Sequence, residues 1–437
     1  MVGPSDETSG RVTSMLPATS VVPLVGVITT PAARAEPLPP SCRPYACRMY
    51  PPPTGPDLTA EQCQELDDTF LSSDPYGYFS ARIRMMLWWA ESDVDSHKHA
   101  LAAPDHREHH EPETLARFSR LLGQPMGFIP ETLPSSIATQ VATDAYALRH
   151  HAAESLVRLT AALSQRTSAG KSCVWETLST GPNQLGQVVD QIRESFSSAE
   201  APMQFARLVV QEQDLQSGMT DQLASASNVF ADWLNFAIAL LVGHELQLNA
   251  AHNKVKHGLS VRARDDLKVT FATTPPNADG TIPVGALTGP DAVDIFDCPV
   301  IEVLAQAPRV DGHSQGLELT QLRVDVPAVL AETYMIAWAH GAMFHVAAAK
   351  HLAGRSHPPK YLTAPAHPGY PVGGPHPDHV SGKAPVGMRF PLTTPPGGEP
   401  TRRPPGLAFR DVFIPFTFTG SAMRNGRVVA DENTEEA

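Results

Sequence analysis

Proline fixes its own backbone dihedral and donates no hydrogen bond, so its distribution limits where helices and sheets can run. This chain of 437 residues holds 42 prolines, about twice the usual share, and they crowd towards its two ends. Residues 1–56, rich in Pro, Thr, Ser and Ala and closing on Pro51-Pro52-Pro53, show no sustained period and read as a disordered arm. Residues 355–406, dominated by Pro, Gly and His, read as a disordered linker. Residues 407–437 hold an apolar run from Leu407 to Thr419, expected to dock as a strand or to act as a linear motif, and then an acidic tail. The folded part is thus expected at 57–354, long enough for a sizeable core.

Inside that span the hydrophobic period is mostly helical. Thr59, with Gln62 three residues on, forms a capping box, and Tyr78 to Asp93 carries Phe79, Ile83, Met86, Leu87 and Ala90 at helical spacing. Glu113 to Leu122 reads as a short helix. From Ser136 to Gln165 a continuous stripe runs from Ile137 and Val141 through Leu148 and Leu156 to Leu163, giving a strut roughly 45 Å long. Leu185–Phe196 and Pro202–Gln213 continue as helices, and a central helix is expected from Ser227 to His257, stopped by Gly258. The period then changes. Leu267–Thr273, Ile282–Leu287, Val300–Ala307 and Leu317–Val324 read as short antiparallel strands, and Pro327 opens a last helix to Leu352. The fold class is therefore mainly α (α+β): a helical bundle with a small antiparallel sheet inserted at about 265–325, before the last long helix, and disordered Pro-rich termini.

Charge and composition narrow the function classes. A formal charge of −13 repels nucleic acid and anionic lipid at long range, so polyanion binding needs a local basic patch. Five cysteines, odd in number and scattered, argue against a disulfide framework and for free thiols in a reducing compartment, with Cys42 and Cys47 the one local pair. Trp233–Gly243 is uncharged but too short to cross a bilayer, so no membrane partner is expected. Val21–Thr30, followed by Ala33-Arg34-Ala35, looks like a signal core without its basic leader; the cytoplasm is the expected location and export the alternative.

Chemistry is concentrated in GHELQLNAAHNKVKHGLSVRAR, at the end of the expected central helix. Glu245, Asn249, Asn253 and His257 recur every four residues as a polar stripe, with His244, Leu248 and His252 beside it. Two readings stand. In one, the stripe is the wet side of an amphipathic helix and His257 sits where a helix C-terminus favours a cation. In the other, His257, oriented by Asn253, faces a phosphate held by Lys254, Lys256, Arg262 and Arg264. The segment His252-Asn253-Lys254-Val255-Lys256-His257-Gly258 resembles the end of a helix in HEPN-type proteins, a helical-bundle superfamily whose RNA-cleaving members carry Arg, often Asn, then His. Asn253 and His257 match the second and last positions, and His252 stands where the family has arginine. The resemblance implies metal-independent RNA scission through the ribose 2′-hydroxyl, with His257 as acid or base and His252 and Asn253 beside it, or a noncatalytic relative that senses RNA or nucleotide. It also implies a homodimer. The other class is a noncatalytic scaffold whose Pro-rich tails recruit partners.

No metal or cofactor is expected. His244-Glu245 lacks the second histidine of HExxH, because position 248 is Leu; the histidines at 97, 99, 106, 109 and 110 read as solvated loop residues; and there is no nucleophile elbow, phosphate loop or paired CxxC. Arg149, His150 and His151 with Glu154 read as local helix pairs, and His340 and His345 as core histidines.

Overall fold

A computed structural model describes residues 55–91, 117, 121, 134–169, 173–216, 221–243, 245–257, 261–272, 275, 277–278, 284–287, 289–290, 292–296, 298–356, 373–415, 422–424 and 427–429. The helices and strands all belong to the unit from Leu58 onwards. The histidine-rich stretch 97–110, the arm 1–54 and nearly all of the expected helix at 113–122 lie outside the described residues.

The helices are α1 (Ala60–Leu71), α2 (Pro75–Glu91), α3 (Pro134–Ala169), α4 (Val174–Thr180), α5 (Leu185–Ser195), α6 (Ala201–Val209), α7 (Glu212–Gln216), α8 (Asp221–Val242), α9 (Leu248–Lys256), α10 (Val326–Leu352) and α11 (Pro377–Ser381). The capping box at Thr59 is present: its hydroxyl accepts from the Gln62 N–H at 3.2 Å, and Gln62 Oε1 accepts from the Thr59 N–H at 2.8 Å. α3 is the strut, 36 residues long, and α10 lies against it, apolar on nearly every side as a fully buried helix must be. Leu156, Val157, Leu330, Ile336 and Ala337 are wholly buried in this core. α8 is long and apolar enough to cross a bilayer by length and composition, contrary to the expectation that no segment reaches that limit. Half of its apolar window is buried in the bundle, with Trp233 and Ala237 fully enclosed.

The strands are β1 (Val261–Arg264), β2 (Val269–Ala272), β3 (Ala292–Phe296), β4 (Val300–Gln306), β5 (Leu317–Arg323), β6 (Gly387–Pro391), β7 (Gly406–Ala408), β8 (Phe413–Pro415), β9 (Ala422–Arg424) and β10 (Arg427–Val429). The main sheet is antiparallel throughout, in the order β1-β4-β5-β6-β7-β8. Strand alternation sends Ile301, Val303, Leu322 and Ala408 into the bundle core. It sends Val300, Met388 and Leu407 to the opposite face, where the β2–β3 pair covers them with Ile295 and Phe296.

Three expectations are corrected. Val284–Leu287 is a short 3-10 helix and not a strand. Residues 373–406, part of the span read as a linker, fold onto the bundle: Trp233 Nε1 donates to the Pro375 carbonyl at 2.9 Å, Pro377 is buried, and β6 adds to β5. Proline-rich chain packs here because its carbonyls accept from side chains and its missing N–H groups need no partner. The expected helix 227–257 is two helices: α8 ends at Val242, and Gln247 takes left-handed dihedrals (φ 50°, ψ 46°) before α9 starts. Gly243 permits this exit, because a Cβ there would lie 2.6 Å from the Ala239 carbonyl oxygen.

The break is held from the sheet. The Glu245 carbonyl accepts from Arg389 Nη1 at 3.1 Å and from Arg403 Nη2 at 2.8 Å, while Glu245 Oε2 pairs with Arg389 at 2.7 Å. Glu318, 1% exposed, takes two hydrogen bonds from Arg403 at 3.0 and 3.3 Å, and Arg389 lies over the Phe413 ring. Removing one member of a buried ionic cluster strands its partner's charge. Glu318→Ala is therefore expected to cost about 3–5 kcal/mol in urea unfolding, whereas the surface pair Arg193–Asp190 is expected to cost under about 1 kcal/mol when either member is removed. A loss under about 1 kcal/mol at Glu318 would contradict the network's role.

Candidate functional site

The residues singled out in the sequence are parted by the fold. Asn253, Lys256 and His257 are exposed at the end of α9, Lys254 is half-buried, and Arg262 is exposed on β1. His252 turns inward and is buried, its ring stacked on that of His150 at 5.0 Å and 8°. Arg264 is committed to Asp266, at 2.6 and 3.0 Å, and to Glu302 at 3.4 Å. None of these seven residues lines the cavity described below.

His150, expected in a local helix pair, is a core residue like His252, and His340 is buried as expected, whereas His151 is exposed. His150 is wholly buried and donates through Nδ1 to the Tyr146 carbonyl, 3.1 Å away; Tyr146 donates its hydroxyl to the Leu248 carbonyl at 2.7 Å, tying α3 to the first turn of α9. His151 lies edge-on to Tyr78 and Phe79, and His340 packs against Phe79 and Phe344. Burial lowers the pKa of all four imidazoles: His150 well below its ordinary value, helped by Arg149 and His252; His151 and His252 less; and His340 down to about 4.

A cavity of about 310 Å³ opens beside the helix break, between the bundle and the sheet. Phe236 and Leu240 of α8, Leu246, Val329 of α10, Val386 and Phe413 form its apolar wall. Its polar groups come from five places. Arg149 of α3 meets Glu332 of α10 at 2.5 Å, both side chains 7% exposed. Arg323 bonds Asp325 at 3.1 Å, and Asp325 caps α10 through the Ala328 N–H. Glu245 is paired with Arg389, and Arg410 with Asp411 and Asp378. Ser381 closes the end of α11.

Two side chains of this lining each carry a buried polar atom without a hydrogen-bond partner, Arg149 Nε and Ser381 Oγ. A buried donor without an acceptor costs about 1–3 kcal/mol, so such atoms mark places where a bound molecule gains most. The cavity sits at the lower end of the size range of small-molecule sites and shares their composition, apolar walls with a few convergent polar groups.

A signal for this site was present in the sequence. Glu332 is the one carboxylate in the apolar run Val326–Leu352, and Arg149 lies next to Leu148 on the α3 stripe, between Ala145 and Ala152. Neither charge is stable alone in a core, so each requires the other. Ser381 and the α8–α9 break gave no comparable signal. No protein family, curated protein or solved structure matches the chain.

Because the buried imidazoles of His150, His252 and His340 stay neutral in the fold while unfolded histidine titrates near 6.5, the unfolded state binds more protons below that pH. For His340 the contribution to stability is fully present above about pH 6.5 and is lost as pH falls towards about 4, by up to roughly 1.4 kcal/mol per pH unit, and His150 and His252 act in the same direction. Urea unfolding at stepped pH is expected to show this decline, reduced in His340→Phe. A profile flat from neutrality to the carboxylate range would contradict the buried, neutral assignment.

Proposed function

We propose that the protein is a binding protein for a small, largely apolar molecule bearing an uncharged hydrogen-bond acceptor, held in the cavity between the helix break and the sheet. The observation that carries this reading is the pair of unpartnered buried atoms, Arg149 Nε and Ser381 Oγ, on two side chains of one lining. The charge balance sets the ligand class. The lining holds three guanidinium groups (Arg149, Arg323, Arg410) and four carboxylates (Glu245, Asp325, Glu332, Asp411), each with an oppositely charged neighbour. A ligand carboxylate beside Glu332 would bring an uncompensated negative charge into a low-dielectric site, whereas a ketone, amide or lactone oxygen accepts from Arg149 Nε with no such cost. The apolar wall then takes the ligand's body, at about 25 cal/mol per Å² buried.

RNA-directed chemistry at the end of α9, by His257 with Asn253, finds less support, since His252 is enclosed in the core and Arg264 is already paired twice.

Thermal melting and calorimetric titration with cyclic ketones and N-alkyl lactams, set against carboxylic acids of the same carbon skeleton, test the proposal. The neutral compounds are expected to stabilise and the acids not. Ser381→Ala is expected to weaken binding roughly fivefold, about 1 kcal/mol. The double variant Arg149→Met with Glu332→Leu keeps the core filled without an unpaired charge, so it is expected to fold and to lose binding more than tenfold, about 1.4 kcal/mol or more. Equal stabilisation by the acids, or none by any member of the series, sinks the proposal.

A further inference from the structure

Cys63 and Cys173 lie far apart in the sequence and read there as scattered free thiols, yet the fold brings them together. Cys63 is on the first turns of α1 and Cys173 directly precedes α4. With Glu176 they form a cluster in which both Sγ atoms and a carboxylate oxygen all lie within 4.8 Å of one another. Cys173 is 1% exposed, and Cys63 and Glu176 are half-buried. The side of the cluster towards the core is closed by Asp67, one turn after Cys63 on α1. Its Oδ1 accepts from Cys173 Sγ at 3.2 Å and from the Trp175 N–H at 3.1 Å, while Oδ2 accepts from the Val174 N–H at 3.1 Å.

We propose that Cys63, Cys173 and Glu176 bind a divalent cation of the zinc class, which clamps α1 to α4 and displaces the Cys173 S–H proton that Asp67 accepts in its absence. The spacing supports it. Tetrahedral zinc with thiolates at about 2.3 Å and a carboxylate at about 2.1 Å sets donor-to-donor distances of roughly 3.5–3.8 Å, so atoms within 4.8 Å of one another need to close by no more than about 1.3 Å. The donor set selects the metal: two sulfurs favour zinc or cobalt, and the hard oxygen-seeking cations magnesium and calcium are poorly served by it. Each helix contributes two groups at one-turn spacing, Cys63 with Asp67 and Cys173 with Glu176, so the ligand geometry is set by backbone already in place. Binding replaces two S–H bonds by two metal–sulfur bonds and releases two protons to solvent, and no oxidation state changes. The three ligands share no residue with the cavity, so this inference stands apart from the small-molecule proposal.

The test uses the full chain, reduced and treated with chelator, titrated with cobalt and then zinc. One equivalent of cobalt is expected to give the visible bands of tetrahedral coordination with thiolate-to-cobalt charge transfer, and zinc is expected to bleach both and to raise the melting temperature. Cys63→Ser is expected to halve the charge-transfer intensity. Glu176→Gln is expected to weaken binding more than about tenfold while leaving the far-ultraviolet circular dichroism unchanged. The proposal is overturned if cobalt gives no tetrahedral spectrum, if a folded Cys63→Ser, Cys173→Ser double variant binds it equally, or if Cys63 and Cys173 prove to be joined in a disulfide that reductant does not open.

Discussion

The carbonyl of Glu245 is the point on which the architecture turns. A helix as apolar as α8 would run on through Leu246 and Leu248, and the chain leaves it where two guanidinium groups, Arg389 of β6 and Arg403 of the segment before β7, capture the Glu245 carbonyl. Those arginines are themselves buried, 4% and 7% exposed, and are affordable only because Glu318 and Glu245 neutralise them. The partners come from β5, β6 and the Thr401–Pro404 segment. Sheet, C-terminal segment and helix break therefore form together or not at all.

From this one break two consequences follow in space. α9 leaves the axis of α8 and lays His252 against His150, so a residue that periodicity would place beside a surface stripe becomes part of the core. The volume that a continuous helix would fill becomes the cavity, with Gly243, Glu245, Leu246 and Leu248 along one side and the α3–α10 ion pair at another. The same strand register that directs Ile301 and Leu322 inward also directs Glu318, Arg389 and Phe413 inward, so apolar core and ionic cluster are two parts of one sheet face.

Much of the scaffold was legible in the amino-acid order. α1 with its capping box, α3, α5, α10 and strands β2, β4 and β5 follow from local period and caps, which tertiary contacts do not override. The misses share a cause: each depends on partners distant in the chain. The break at 243–247 needs Arg389 and Arg403; the folding of 373–406 needs Trp233 and β5; the clustering of Cys63 with Cys173 needs α1 and α4 side by side. Composition weighs residues one at a time, so a segment rich in proline and glycine was set aside although its apolar positions, Pro377 and Met388, fit surfaces made elsewhere. Of the site itself, only the mutual need of Arg149 and Glu332 could be read in advance.

Donation by Arg149 Nε to a bound ligand oxygen, as proposed, would be reported directly by the Nε–H resonance of that arginine. In a nitrogen-15 spectrum, with the peak assigned by its loss in the Arg149→Met, Glu332→Leu variant, saturating a neutral lactam is expected to shift the Arg149 Nε–H signal downfield and to slow its exchange with water. A lactam that binds while leaving that signal in place would place the ligand elsewhere and contradict the account.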